Sequence, residues 1–350
     1  MSSQSSLQVL PGNKDKSRVH YYTFSHIFLY ITEQCQLRCN HCYMGDRLER
    51  GLVLAYGKAV RIMDHCRRLG AKYITFVGGE PSLHLDLPRM VDHAVEAGYD
   101  RIDIDTNGLL VDRLQHIPPD KINYIRVSLD GTMAETHDKV RGVGAYKKTI
   151  HSIKQLIKIG YHVAITYSTF NFNIHEAPEI IALADELGIN LVNYHVFSEE
   201  GRGIANPHWS LNPQDWIEFC EFLEKVKDNY RVSIWYPPTW TTLKKLDKYV
   251  AEGYRGCLGC SLDRLSIFPD GVCYVCSVLF DEPVHFGIMK DEGFILNRER
   301  NEFEMFTEAI FGASEPWLSG CPAERILNKH REIKLLPEII PVCRCWKCQV

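Results

Sequence analysis

No stretch of this 350-residue chain carries the ~20 consecutive apolar residues that a membrane-spanning helix needs. The first twenty-five residues are polar and mixed in charge. They have no apolar centre of the kind that marks a signal peptide, so the expected compartment is the cytoplasm. A basic excess is lacking too: 40 Lys and Arg stand against 44 Asp and Glu. That balance argues against binding nucleic acid or an anionic membrane through bulk charge. Low-complexity tracts and solenoid-length repeats are missing. Ordinary globular composition is present, with 45% apolar and 24% charged residues, which excludes disorder and collagen. The length suggests two domains. The anomaly is thirteen cysteines, an odd number in a long chain that does not fit a secreted disulfide scaffold.

From about residue 27 to about 200, short β-type runs alternate with helical ones. His26 to Ile31, Tyr73 to Val77, Arg101 to Asp105, Tyr124 to Leu129, His162 to Tyr167 and Leu191 to Phe197 read as six strands. The helix over 55–69 spaces Val60, Met63 and Cys66 by three. The helix from Leu87 to Ala97 places Met90, Val91, Ala94 and Val95 on one face. The helix from Ala145 to Ile159 has Ile150, Ile153 and Ile157 in phase and closes on Gly160. Such repeats require parallel strands joined by right-handed crossovers. The expected fold is α/β, a partial (β/α)6 barrel, with an open doubly wound sheet as the second choice. Either fold binds ligands at the C-terminal strand ends.

Beyond Pro237 the character changes. A hairpin is expected around Pro269-Asp270-Gly271, in a small cysteine-rich, metal-stapled domain. The organisation is therefore an N-terminal extension (1–24), a core (25–236) and a C-terminal domain (237–350). Cys66 and Cys220 sit in amphipathic helical stretches and read as small core residues.

Cys35, Cys39 and Cys42 follow the first strand as C-x3-C-x2-C. Three thiolates on one loop can hold three corners of an iron–sulfur cube and leave the fourth iron open. A structural zinc site, with His41 or a distant fourth ligand, is the alternative that spacing allows. The second strand ends in Gly78-Gly79-Glu80-Pro81, the third in Thr106-Asn107-Gly108 and the fourth in Ser128-Leu129-Asp130-Gly131. These motifs, in this order at strand ends, resemble those of the radical S-adenosylmethionine (SAM) enzymes, with His41 in the place of the usual aromatic residue.

The resemblance implies a 4Fe–4S cluster on the three cysteines that chelates SAM through its open iron. Gly78 and Gly79 would let backbone approach the methionine amino group. Glu80 would offer charge or brace its loop. Thr106, Asn107, Ser128 and Asp130 would hydrogen-bond the ribose and methionine ends. Arg141, with Ser168 as a weaker candidate, would meet the SAM carboxylate, and Gly201-Arg202-Gly203 would form a structural turn. The implied reaction is reductive cleavage of SAM to a 5′-deoxyadenosyl radical that abstracts hydrogen from a substrate carbon. Flavodoxin or ferredoxin is the implied electron donor.

Eight cysteines lie in the last third. Cys257-x13-Gly271-x4-Cys276 resembles the opening of the SPASM and twitch extensions of radical SAM enzymes, and Cys345-x2-Cys348 closes the group. The full SPASM run is absent. The resemblance therefore implies one auxiliary 4Fe–4S cluster on Cys257, Cys276, Cys345 and Cys348. Cys260, Cys273, Cys321 and Cys343 could replace a member or build a second cluster. The paired knuckles Cys257-x2-Cys260 and Cys273-x2-Cys276 also fit a zinc ribbon, and a non-catalytic zinc protein is the reading outside the enzyme class. Within it, the substrate is a small polar metabolite (sugar, aminocyclitol or nucleoside) or a ribosomal peptide, and the outcome is oxidation, epimerisation, decarboxylation or crosslinking. The short segment before the first strand favours the small molecule. Tyr167, His195 and Trp235 lie near strand ends, but no base or hydrogen donor is assigned.

Overall fold

The computed structural model describes residues 24–237, 239–251, 264–276, 279–280, 282, 284–291, 293–297 and 339–341. Seven strands run parallel in chain order: β1 (His26–Thr32), β2 (Tyr73–Gly78), β3 (Arg101–Thr106), β4 (Tyr124–Ser128), β5 (Val163–Thr169), β6 (Leu191–Val196) and β7 (Ser233–Trp235). Between them lie helices α1 (Arg47–Arg50), α2 (Tyr56–Arg68), α3 (Leu87–Glu96), α4 (Val111–Leu114), α5 (Ala134–Arg141), α6 (Ala145–Ile159), α7 (Ala177–Leu187) and α8 (Pro213–Val226). A doubly wound sheet reverses its strand order at a switch point. Here the order never reverses from β1 to β7, so the winding is that of a partial barrel.

β1 is buried at all seven positions, as a strand covered on both faces must be. The helices bury one stripe each. In α3 the buried residues are Leu87, Met90, Val91 and Ala94, the i, i+3, i+4, i+7 pattern of one face. Val95, expected on that face, is 43% exposed, and Leu87, about two turns earlier, belongs to the buried stripe instead. In α6 the stripe runs through Thr149, Ser152, Ile153 and Leu156, leaving Ile150 and Ile157 at its margin. Gly160 closes α6 at φ 106°, where its N–H reaches Leu156 and Ile157 carbonyls. Cys66 and Cys220 are buried in the core. Burying each large aliphatic side chain stabilises this core by ~1.5–3 kcal/mol.

The chain beyond β7 continues with β8 (Trp240–Thr242) and α9 (Leu243–Ala251). Next come β9 (Arg264–Ile267), β10 (Val272–Tyr274), β11 (Gly287–Lys290) and β12 (Gly293–Leu296). β13 (Ile339–Pro341) pairs with β8 in a separate two-stranded ribbon. β9 lies parallel to β1, with His26 opposite Arg264 and Leu29 opposite Ile267. β10 to β12 continue antiparallel. The expected hairpin joins β9 and β10, with Gly271 at φ 94° donating to the Phe268 carbonyl at 2.8 Å. The described part of the C-terminal region thus extends the edge of the core sheet.

Buried side chains weld this edge to the loop after β1. The Arg47 guanidinium lies 4.1 Å from the Phe268 ring centroid and donates to the Tyr274 hydroxyl at 3.1 Å. Arg50 grips the fully buried Glu33 through two hydrogen bonds, at 2.7 and 3.1 Å, and reaches Asp270 at 2.7 Å. No helix among the described residues is long and apolar enough to cross a membrane.

Candidate active site

The C-terminal ends of β1 to β6 open on one side of the sheet, where the connecting loops enclose a cavity of about 1060 Å³ including its mouth. Cys35, Cys39 and Cys42 line it together. Their loop is held from several sides. Asn40 donates from its backbone to Val140 at 3.0 Å and from its side chain to the Lys139 carbonyl at 3.1 Å, tying the loop to the end of α5. The Arg202 amide donates to the Cys42 carbonyl at 2.9 Å. Gly201, at φ 54°, sits so close that a Cβ would fall 2.6 Å from that same oxygen. The Gly201-Arg202-Gly203 turn is therefore a clamp on the cysteine loop.

None of the three thiols is disulfide-bonded. Burial pushes the Cys35 thiol up to about 12, against the Leu37 amide that donates to its sulfur at 3.4 Å. Burial likewise pushes Cys42 up to about 11. Cys39 is raised by burial and pulled back by Arg141. Three thiolates cannot coexist in so dry a space without positive charge among them. This donor set is therefore matched to a soft, multiply charged metal group that displaces the protons. Among the described residues, no three His, Cys, Asp or Glu side chains form a group that could hold a single metal ion.

His41 also lines the cavity, edge-on to Phe170 at 5.5 Å. Burial lowers it to about 4, so the ring is neutral at pH 7, and its Nδ1 has no partner among the described residues. Gly78, Gly79, Thr106 and Asn107 form the wall at the ends of β2 and β3, and Ser128 and Ser168 the wall at β4 and β5. The two glycines have a second reason to be glycine. A Cβ on Gly78 would fall 2.4 Å from the Thr32 carbonyl, and one on Gly79 would fall 2.4 Å from the Gln34 carbonyl. The β2 end is pressed against the backbone that leads into Cys35.

Two of the expected contact residues stand behind the wall. Glu80 is fully buried and accepts from the Ser82 amide at 3.0 Å, the Ser82 hydroxyl at 2.6 Å, the Thr106 hydroxyl at 2.7 Å and the Asn107 amide at 2.7 Å. It braces β2 to β3. Asp130, also fully buried, accepts from Arg141 Nε at 2.6 Å and from the Ser168 amide at 2.9 Å. Burial would raise this carboxyl, but Arg141, with His41 and His137 beside it, holds it at about 2. Arg141 in turn points Nη1 toward Cys39 Sγ at 4.0 Å.

The inner wall holds residues that motif reading missed: Asp105, Thr166 and Tyr43, together with His195, which it left unassigned. The signal was the period-2 alternation of polar residues along buried strands (Asp103 and Asp105, Thr166 and Ser168, Asn193 and His195). In a strand covered on both faces, such residues must face something polar. Tyr167 points the other way, its hydroxyl donating to the Asn173 carbonyl at 2.8 Å, and Trp235 does not line the cavity. Cys273 and Cys276 are buried at the β10 end of the sheet, away from the cavity lining. Cys257, Cys260, Cys321, Cys343, Cys345 and Cys348 lie outside the described residues.

The chain is thus a partial barrel with three cysteines on the loop after its first strand, facing a cavity across the strand ends. The Radical SAM superfamily profile matches residues 29–187, and the chain carries a radical SAM domain. Its curated relatives include Fe-coproporphyrin III synthase of Methanosarcina barkeri, 33% identical over 58% of this chain and 50% of that protein. The probable GTP 3′,8-cyclase of Saccharolobus solfataricus is 26% identical over 70% of this chain and 80% of that protein. Streptococcus suis SuiB, solved bound to precursor peptide SuiA, shares the fold with a TM-score of 0.64 at 16% identity, over 76% of this chain and 62% of that one. The chain spans half the length of the first of these relatives.

Proposed function

We propose that this protein is a radical SAM enzyme that binds a 4Fe–4S cluster at Cys35, Cys39 and Cys42 and abstracts hydrogen from a polar substrate. The observation that carries this reading is that the three thiols share one cavity with the β2, β3, β4 and β5 strand ends. When bound, the cluster and SAM supply one-electron cleavage of a carbon–sulfur bond and, through it, hydrogen abstraction at an unactivated carbon. The chain's own residues bind and orient. Backbone at Gly78 and Gly79, the Ser128 and Ser168 hydroxyls and the neutral His41 ring form the SAM-facing wall. Glu80 and Asp130 keep that wall in register, and the buried setting excludes water.

The polar inner wall of Asp105, Thr166 and His195 supports a substrate that offers hydroxyl, amine or amide groups. A sugar, aminocyclitol, nucleoside or peptide fits that description. An auxiliary 4Fe–4S cluster on Cys276 with Cys257, Cys345 and Cys348 completes the proposal, and a small one-electron carrier such as flavodoxin or ferredoxin supplies reducing equivalents. The test is direct. Protein reconstituted with iron and sulfide without oxygen, then reduced in the presence of SAM, should release 5′-deoxyadenosine and methionine. The C35A/C39A/C42A protein should release neither, and product from that variant would move the reaction elsewhere.

A further inference from the structure

Of the three cysteine sulfurs, Cys39 alone has a charged hydrogen-bond donor from among the described residues aimed at it. Cys35 receives the Leu37 amide at 3.4 Å and the Asn107 side-chain amide at 3.8 Å. Cys42 receives the backbone amides of Met44 and Gly45. Cys39 instead faces Arg141 Nη1 at 4.0 Å. That guanidinium is held from behind by Asp130 through Nε at 2.6 Å, with the arginine side chain 9% exposed and the carboxylate 0%. The Asp130 carboxylate is itself fixed by the Ser168 amide. His41 and His137 flank the pair, and burial lowers both to about 4, so neither adds a cation at neutral pH. The end of α5, whose carbonyls accept from Asn40, turns its negative pole toward the same loop. Arg141 is the positive charge that answers it.

We propose that Asp130 and Arg141 form a positioning pair that sets the reduction potential of the cluster through the Cys39 corner. This rests on the proposed assignment of the cluster to Cys35, Cys39 and Cys42. Reduction adds negative charge to the cluster. A cation at its sulfur favours the reduced form, and an anion there opposes it. Arg141 is the nearer member and Asp130 the farther, so the intact pair leaves a net positive field on Cys39. Removing Arg141 takes the cation away from the sulfur, whether the buried Asp130 then keeps its charge or takes up a proton. Removing the Asp130 charge leaves the guanidinium uncompensated. The two substitutions therefore drive the potential in opposite directions, whereas loosened packing would drive both the same way.

The measurement is the midpoint potential of the cluster in the reconstituted full chain, followed by electron paramagnetic resonance in the absence of SAM. The relevant signal is the one lost in C35A/C39A/C42A. R141M should lower the potential and D130N should raise it. The expected shift is about tenfold in the one-electron reduction constant each way, ~59 mV. R141K, which keeps the charge, should lie between R141M and wild type. SAM affinity is measured in parallel. An R141M protein with unchanged SAM-free potential and weakened SAM binding would make Arg141 a SAM ligand and overturn the proposal, as would shifts of one sign in both variants. Should R141M fail to fold, D130N/R141M buries no unpaired charge and takes its place: its potential should fall below that of D130N, and equal values would overturn the proposal. Wild-type protein that retains no iron or sulfide at the three cysteines would instead overturn the cluster assignment itself.

Discussion

One added methyl group at Gly79 should damage the cysteine loop, while the same methyl at Gly57 should do no harm. An alanine Cβ at Gly79 would stand 2.4 Å from the Gln34 carbonyl oxygen, 2.7 Å from its carbon and 2.8 Å from the Glu33 oxygen. All three are backbone atoms, so no side chain can swing aside. Relief requires the two chain segments to part by ~1 Å, as an ordinary van der Waals contact demands. That movement stretches the bonds that join them, Gly79 N–H to the Thr32 carbonyl and Glu80 N–H to the Gln34 carbonyl, both 2.8 Å. Overpacking of this kind costs ~1–3 kcal/mol, and two weakened hydrogen bonds add ~1 kcal/mol or more. A total of about 2–4 kcal/mol is expected. Gly57 lies inside α2, where a new Cβ meets only the Arg61 side chain at 3.6 Å. There alanine should stabilise by up to ~1 kcal/mol through helix propensity. Urea unfolding of both variants reads the difference, and iron bound after reconstitution reports whether Cys35 has moved. Equal midpoints for G79A and G57A, or full iron loading in G79A, would refute the reasoning.

Two further outcomes follow from buried charge. Asp130 is held at about 2 against an ordinary 3.8, so its pairing stabilises the fold above the unfolded-state value and is lost as pH falls through about 2. A shift of about two units corresponds to roughly 2–3 kcal/mol. The stability advantage of wild type over D130N should therefore be constant from pH 7 to about 5 and shrink steadily below pH 4 in denaturant titrations. A difference unchanged down to pH 2.5 would count against the pairing. Arg47, 3% exposed, packs on Phe268 and bonds Tyr274. R47M should cost about 2–4 kcal/mol, confined to the sheet edge. Hydrogen exchange should accelerate at residues 264–276 while β3 and β4 stay protected, and a uniform acceleration would contradict a local role.

Six of the seven parallel strands were legible because each is a run of five to seven residues, apolar throughout or alternating like Arg101–Thr106, long enough to stand out. β7 was not, since Ser233–Trp235 is only three residues and its pairing with β6 depends on contacts made far along the chain. β9 was read as one arm of a hairpin. Its parallel pairing with β1, across more than two hundred residues, leaves no mark on local pattern. In the site, the cysteine spacing and the strand-end motifs were legible because their residue types have few other uses at such places. The direction of a carboxylate was not. Glu80 and Asp130 sit in motifs beside residues that line the cavity, yet each turns to donors on neighbouring strands. Only the packed structure shows that Thr106, Asn107 and Arg141 lie within reach. Asp105 and Thr166 escaped notice, and His195 carried no role, because motif reading stops at the strand end and the cavity continues below it.

The central claim is that SAM binds the open iron of a cluster held by Cys35, Cys39 and Cys42. Electron paramagnetic resonance of the reduced, reconstituted protein tests it most directly, recorded before and after adding SAM labelled with ¹⁵N in its amino group. The signal that depends on the three cysteines should shift on addition and show magnetic coupling to the labelled nitrogen. An unchanged, uncoupled signal from protein fully loaded with iron at that site would contradict the account.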